Sequence, residues 1–283
     1  MAALAESGSS RPQRIPAGAD RRLRRIRAEL EKISPALDLF GTLPFARFIR
    51  SLIRKRRPRT VVELGTGCGL CTFWIALALR ENESGHLWTV DDYSLPTSPL
   101  DSRLVFASLA ALRFVGLDCE QQNRIAADPG ALVAELCARL ELDREISLLR
   151  ETIDLASDLP AAALQANAPI DILFSDFRHD PETVRVLLAR ALPRMAGDAS
   201  VFIDSASTHP PTLHLMESLV ADFDEQRLPE WFGPADSQLR DFVRHHRFKL
   251  THLLRDIPGH QTSTSWLKIE RRDPTAGARS GVL

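Results

Sequence analysis

The chain has 283 residues, 44% apolar and 26% charged, with a net charge of -1. That length suits one large α/β domain with added helices and enough apolar material for a sizeable core, while the overall charge points neither toward nucleic acid nor away from it. There is no run of 18 apolar residues and no apolar leader in the first 20, and the four cysteines (Cys68, Cys71, Cys119, Cys137) show no disulfide framework, so no membrane span is expected and a reducing, cytoplasmic setting is the default.

Residues 1–18 are rich in Ala, Ser, Gly, Pro and Arg and read as a flexible N-terminus. Residues 19–57 read as two helices. The first is capped by Asp20 and runs to about Ile33. The second runs from Pro44 to about Lys55, with Phe45, Phe48, Ile49, Leu52 and Ile53 at helical spacing, and closes at Pro58. Arginines crowd this segment, from Arg11 to Arg27 and again in Arg54-Lys-Arg-Arg57. Such runs are more often a solvated helix face, and binding of RNA or acidic lipid is the alternative.

Residues 58–271 read as the main domain. A strand, Thr60–Leu64, meets a glycine loop, Gly65-Thr-Gly67-Cys-Gly69, and then a helix over Cys71–Leu79. A second strand fits His86–Asp91. Residues 94–145 are long for one crossover and are predicted to hold helices over Asp101–Val115 and Asp128–Leu140. Later strands fit Ile146–Arg150, Ile170–Ser175, Ala199–Asp204, Phe248–Leu254 and Ser265–Ile269, with helices over Pro181–Leu192 and Thr212–Asp222. The alternation implies a mainly parallel sheet covered on both faces. Residues 272–283 read as a flexible tail.

The glycine loop carries the first chemical signal. Glycines let backbone approach a ligand where a Cβ would collide, and the helix behind them offers free N–H groups. The dinucleotide fingerprint needs a third glycine where this chain has Leu70, and the Gly-Lys-Ser/Thr of a phosphate cradle is absent. Glu63, two residues before the first glycine, suits a cationic ligand better than a pyrophosphate.

Val61-Val-Glu-Leu-Gly-Thr-Gly-Cys-Gly69 resembles the first motif of class I S-adenosylmethionine-dependent methyltransferases. Thr89-Val-Asp91 resembles their ribose-binding acid. Asp171-Ile-Leu-Phe-Ser-Asp-Phe-Arg-His179 and Ala196-Gly197 with Val201-Phe-Ile-Asp204 resemble the fourth and fifth strands of the small-molecule O-methyltransferase branch. The likeness covers roughly residues 45–205, in order and in register. It implies a doubly wound, Rossmann-like, seven-stranded α/β sheet with a last antiparallel pair, N-terminal helices and a helical insertion after strand two. It also implies S-adenosylmethionine as cofactor. Glu63 would sit by the methionine ammonium, Gly65, Thr66, Gly67 and Gly69 would line the turn, and Asp91, with Asp92 as its competitor, would take the ribose hydroxyls. Glu151-Thr152 stands where the family often has Gly-Asp near the adenine.

Asp176, His179 and Asp204 fall at the ends of neighbouring strands, where an open α/β sheet holds its ligands. His179 is expected as general base. A magnesium ion on Asp176 and Asp204 is the alternative; it is not favoured, because Ser205 replaces the amide ligand of the metal-dependent branch. Trp231-Phe232, in a proline-bounded loop, are expected to cover an apolar acceptor, with anchoring on the core as the rival reading. Cys68 and Cys71 read as packing residues. His209, His245 and His246 read as surface or capping groups with some reach toward the site. The expected activity is methyl transfer to a hydroxyl of a small metabolite. RNA or protein methylation through the basic N-terminus, and a non-catalytic protein of the same fold, are the alternatives. The acceptor is the expected partner, with a homodimer allowed for and nucleic acid and membrane not expected.

Overall fold

A computed structural model describes residues 17–38, 41–94, 120, 128–156, 158–160, 168–232, 237–257 and 260–272. The expected helix over 101–115 and most of both expected flexible ends lie outside these residues.

Helix α1 spans Ala17–Leu37 and α2 spans Leu43–Arg56. Because α1 begins at Ala17, Asp20 lies in its first turn and is not the expected cap. The helix also runs past Ile33, because Ile26, Leu30, Ile33 and Leu37 recur on one face and are all buried. Helix α2 has proline in its first turn and stops where Arg57 turns left-handed and returns its N–H to the Ile53 carbonyl. Its buried Phe45, Ile49 and Ile53 lie in one core cluster with helix α3 (Leu70–Asn82), which follows strand β1 (Thr60–Leu64), and Phe45 meets the rings of Phe174 (5.0 Å) and Phe202 (5.5 Å) on the sheet. Helix α3 is apolar nearly all round because it lies between the sheet and α1 and α2. The indole of Trp74 in α3 donates to Ser34 Oγ (3.0 Å), which donates to the Leu30 carbonyl (2.6 Å), tying α3 to α1.

Strand β2 (His86–Asp91), helix α4 (Pro129–Arg139), β3 (Ile146–Arg150), β4 (Ile170–Ser175), α5 (Pro181–Ala191), β5 (Met195–Asp204), α6 (Pro210–Asp224), α7 (Ser237–His245), β6 (His246–Ile257) and β7 (His260–Arg271) complete the described order. Asp128 caps α4 through Gly130 N–H, and Asp180 caps α5 through Thr183 N–H, each with a proline just inside. The sheet order is β3-β2-β1-β4-β5-β7-β6, parallel except at β7, as expected. Helices α1 to α4 cover one face; α5, α6 and α7 cover the other.

Three differences from the sequence reading matter for function. Strand β5 begins at Met195, with a register shift between its pairings to Ile170 and Ile172. Helix α7 was not expected; it is nine residues long and is held by buried Leu239 and Val243. The β6–β7 hairpin is twelve residues on each side, and four pairs, Leu254↔Ser263 through Ile257↔His260, lie beyond the Asp204↔Thr264 pair that ends β5. At about 3.3 Å per residue it overhangs the C-terminal edge of the parallel strands by about 13 Å.

Among the described residues, several arginines of α1 and α2 are engaged within the chain. Arg22 and Arg25 pair with Glu141, Arg47 with Glu31, and Arg50 and Arg54 with Glu81. Arg56 donates to Ser200 Oγ at 2.8 Å and lies over Trp266. Among the described residues, no helix is long and apolar enough to cross a membrane.

Candidate active site

The parallel strands end on one edge, and the chemistry-bearing residues gather there. After β1 the chain turns sharply: Gly65 N–H donates to the Val90 carbonyl (2.9 Å), and Asp176 N–H donates to the Leu64 carbonyl (2.7 Å). Gly65 has φ +91°, and a Cβ on it would sit 2.4 Å from the Asp176 carbonyl oxygen, so β4 passes where no side chain fits. Gly67 is also left-handed, at φ +53°, but a Cβ there would meet nothing within 4 Å. Protein crowds the first glycine, and open space lies against the second.

Glu63 is buried beneath this loop. Thr72 and Thr89 both donate to its Oε2, at 2.6 and 2.7 Å. Thr89 has spent its one hydroxyl proton, so Thr66 Oγ1, 2.6 Å away, is the donor between those two. Burial pushes the Glu63 carboxyl up to about 7; the two threonines pull it down, and Asp91 adds a smaller upward push.

Asp91, at the end of β2, accepts from Thr66 and Gly67 N–H on Oδ2 (2.9 Å each) and from Tyr93 N–H on Oδ1 (2.8 Å). It clamps the glycine loop with two bonds and its own turn at Tyr93 with a third, fills three of about four acceptor sites, and keeps capacity for a ligand hydroxyl. Asp92 turns away into its own loop. Its Oδ1 takes Ser94 N–H (2.8 Å) and Ser94 Oγ (2.6 Å), and these bonds hold it below the usual carboxylate range. Thr152 approaches the other Asp92 oxygen at 3.4 Å, and Glu151 N–H reaches the Asp91 carbonyl, so the Glu151-Thr152 pair braces the end of β2. Tyr93, which the sequence reading passed over, is left-handed at φ 52° and lies under the Arg150 guanidinium (5.4 Å). Its hydroxyl is buried near Thr66 without a well-formed hydrogen bond.

Asp176 and Asp204 end β4 and β5. Asp176 is exposed at the end of β4, and its carboxyl is pushed well above the usual range by the surrounding protein and then by Asp204, Glu63 and Asp91. Because water reaches the group, the neighbouring negative charge is the firmer of these causes. Asp204 is raised too, by burial, against the hydrogen bonds of Ser205 Oγ (2.8 Å) and Thr264 Oγ1 (3.3 Å) and the nearby His179. The Ser205 hydroxyl is thus turned onto Asp204. Among the described residues, no group of three or more His, Cys, Asp or Glu side chains is arranged to hold a metal ion. His179 is exposed beyond β4, its ring 5.7 Å from that of His209.

Several expected residues lie elsewhere. Helix α6 leaves the ligand edge and runs fifteen residues, about 22 Å, toward the opposite edge. There Phe232 stacks on Phe223 (6.0 Å), which meets Phe248 (4.7 Å), two residues into β6. The Phe232 ring packs the Glu230–Phe232 turn against the core, and the backbone of Trp231 lies in the same turn. His245 and His246 also lie at that far edge, each with Nδ1 on a carbonyl of α7. Cys68 and Cys71 are buried, and the Cys71 thiol is pushed well up by burial and then by Glu63, Asp176 and Asp204, which suits packing and not redox work.

Residues 62–206 match the family model described as a methyltransferase domain. Comparison with curated proteins gives no match. Solved structures that resemble the chain include the O-methyltransferase TomG from Streptomyces achromogenes, involved in tomaymycin synthesis and in complex with SAM. It is 17% identical, with 86% of this chain and 89% of that one covered and a TM-score of 0.47. They also include an O-methyltransferase from Bacillus cereus in complex with SAH (14% identical, 89% and 91% covered, TM-score 0.46). A third is cofactor-bound Rv0187 from MTB (13% identical, 92% and 100% covered, TM-score 0.47).

Proposed function

Since the chain belongs to the methyltransferase domain family, we propose that it moves the methyl group of S-adenosylmethionine to a hydroxyl of a small metabolite. The observation that carries the cofactor assignment is a ring of four carboxylates, Glu63, Asp91, Asp176 and Asp204, around a glycine loop with open space against Gly67. Such a ring repels phosphate and attracts a ligand bearing an ammonium and a sulfonium. S-adenosylmethionine supplies an activated methyl on a positively charged sulfur.

Each protein group then has a task. Glu63, held near neutrality when alone, ionises fully when an ammonium lies against it. Asp91 holds the loop shut and offers its remaining acceptor site to the ribose, with Asp92 bracing the loop behind it. Asp176 and Asp204 flank the acceptor position, and His179 takes the acceptor proton. Placing the acceptor oxygen in line with the methyl group is the larger part of the work. The engagement of Arg22, Arg25, Arg47 and Arg50 within the chain supports a small acceptor over RNA or protein. Residues 58–271 form the catalytic unit in this reading, and the buried thiols suit the cytoplasm.

The test is mass spectrometry of phenols, catechols, sugars, hydroxy acids and amines incubated with the enzyme and S-adenosylmethionine. A hydroxyl compound gaining one methyl group supports the reading. Methylation confined to amines overturns the acceptor assignment.

A further inference from the structure

Two loops at the ligand edge are built alike. After β4 comes Asp176 and, three residues on, His179; after β5 comes Asp204 and, five residues on, His209. Thr212, fully buried in the first turn of α6, joins them. Its hydroxyl donates to the His179 carbonyl oxygen at 2.6 Å and lies 2.9 Å from Nδ1 of His209. A hydroxyl has one proton and a carbonyl has none, so the proton of Thr212 is committed to His179. The second contact then has a single solution: Nδ1–H of His209 donates to Thr212. In the neutral ring Nε2 is therefore the bare, basic nitrogen.

This arrangement is not helix capping. His209 occupies the N-cap position of α6, yet its ring makes no cap bond; its backbone carbonyl takes the N–H groups of Thr212 and Leu213. The ring is partly exposed and meets the His179 ring edge to face at 5.7 Å. Among the described residues no side chain hydrogen-bonds the His179 ring, whereas the tautomer of His209 is fixed from behind. A base held by a second group in one tautomer is the arrangement proton abstraction requires.

We propose that His209 is a second proton acceptor of the acceptor site, set in its basic Nε2 form by Thr212. The inference rests on the methyltransferase reading above. In this route the acceptor O–H gives its proton to Nε2 of His209 in place of His179, as its oxygen bonds the methyl carbon. The C–S bonding pair stays on sulfur, the positive charge passes to the imidazolium, and the imidazolium returns its proton to water.

The test has two arms. Nitrogen NMR of the free enzyme at a pH where His209 is neutral should show the Nδ1–H tautomer, and Thr212→Val should release it while Thr212→Ser keeps it. His209→Asn retains a donor for Thr212 but has no base. It should lower kcat about 100-fold on whichever hydroxyl compound the enzyme methylates, at unchanged affinity for S-adenosylhomocysteine. An Nε2–H tautomer in the native enzyme, or an undiminished kcat in His209→Asn, overturns the proposal. If the native enzyme methylates nothing, the functional reading falls, and the tautomer assignment is still decided by the spectrum.

Discussion

Gly65 and Gly67 are two residues apart and both left-handed, yet alanine should injure them in different ways. At Gly65 the new Cβ sits 2.4 Å from the Asp176 carbonyl oxygen and 2.7 Å from its carbonyl carbon, so β4 must retreat by about 1 Å to reach ordinary contact. Left-handed strain adds about 1–2 kcal/mol and overpacking about 1–3, so Gly65→Ala should lose about 2–5 kcal/mol, a large share of a typical domain's stability. At Gly67 a Cβ meets nothing within 4 Å, and the loss is the strain alone, about 1–2 kcal/mol. That open space is where the cofactor is placed, so Gly67→Ala should weaken S-adenosylhomocysteine binding at least tenfold, worth about 1.4 kcal/mol. Urea midpoints and calorimetric titration of both variants give the comparison. A Gly67→Ala enzyme that binds like the native one, beside a Gly65→Ala enzyme that melts like it, refutes this account of the loop.

The pH dependence of stability follows from Glu63. Its carboxyl is raised from 4.5 to about 7, so the folded state holds this proton more tightly than the unfolded state. The ligand-free protein should therefore lose up to about 3 kcal/mol as pH rises from about 4.5 to about 7, and urea titrations of Glu63→Gln should lack that slope. Asp91→Ala frees two backbone N–H groups of the glycine loop and that of Tyr93, and should weaken S-adenosylhomocysteine binding by about 1–3 kcal/mol in calorimetry. Phe232→Ala should cost about 3 kcal/mol of unfolding free energy in urea titrations and leave acceptor KM unchanged; a raised KM at native stability would restore the lid reading. Turnover should survive EDTA, and its loss with recovery on magnesium would move Asp176 and Asp204 to metal ligation.

What was legible in the sequence was what lies contiguous in it. Strand β1, the glycine loop and α3 form one unbroken pattern, and the acids that end β2, β4 and β5 each follow an apolar run. What depends on distant segments was hidden. Gly65 is required by the backbone of Asp176, more than a hundred residues on. Thr212 and Thr89 look like ordinary polar positions until His179, His209 and Glu63 are brought against them. The place of the Phe232 ring was hidden because an aromatic loop carries no mark of which sheet edge it serves; the length of α6 carries it away from the ligand edge. Helix α7 escaped because its buried face has only Leu239 and Val243 to announce it, among charged neighbours. The hairpin was read short because its polar outer half, Arg255 to Thr262, does not look like strand.

The central claim is that the carboxylate-ringed loop between β1 and α3 holds S-adenosylmethionine. Calorimetric titration of the purified enzyme with S-adenosylhomocysteine, and separately with NAD, tests it most directly. The account predicts saturable one-to-one binding of S-adenosylhomocysteine, lost with Asp91→Ala and Glu63→Gln combined, and no binding of NAD. Binding of NAD, or no binding of S-adenosylhomocysteine by a folded native enzyme, would contradict it.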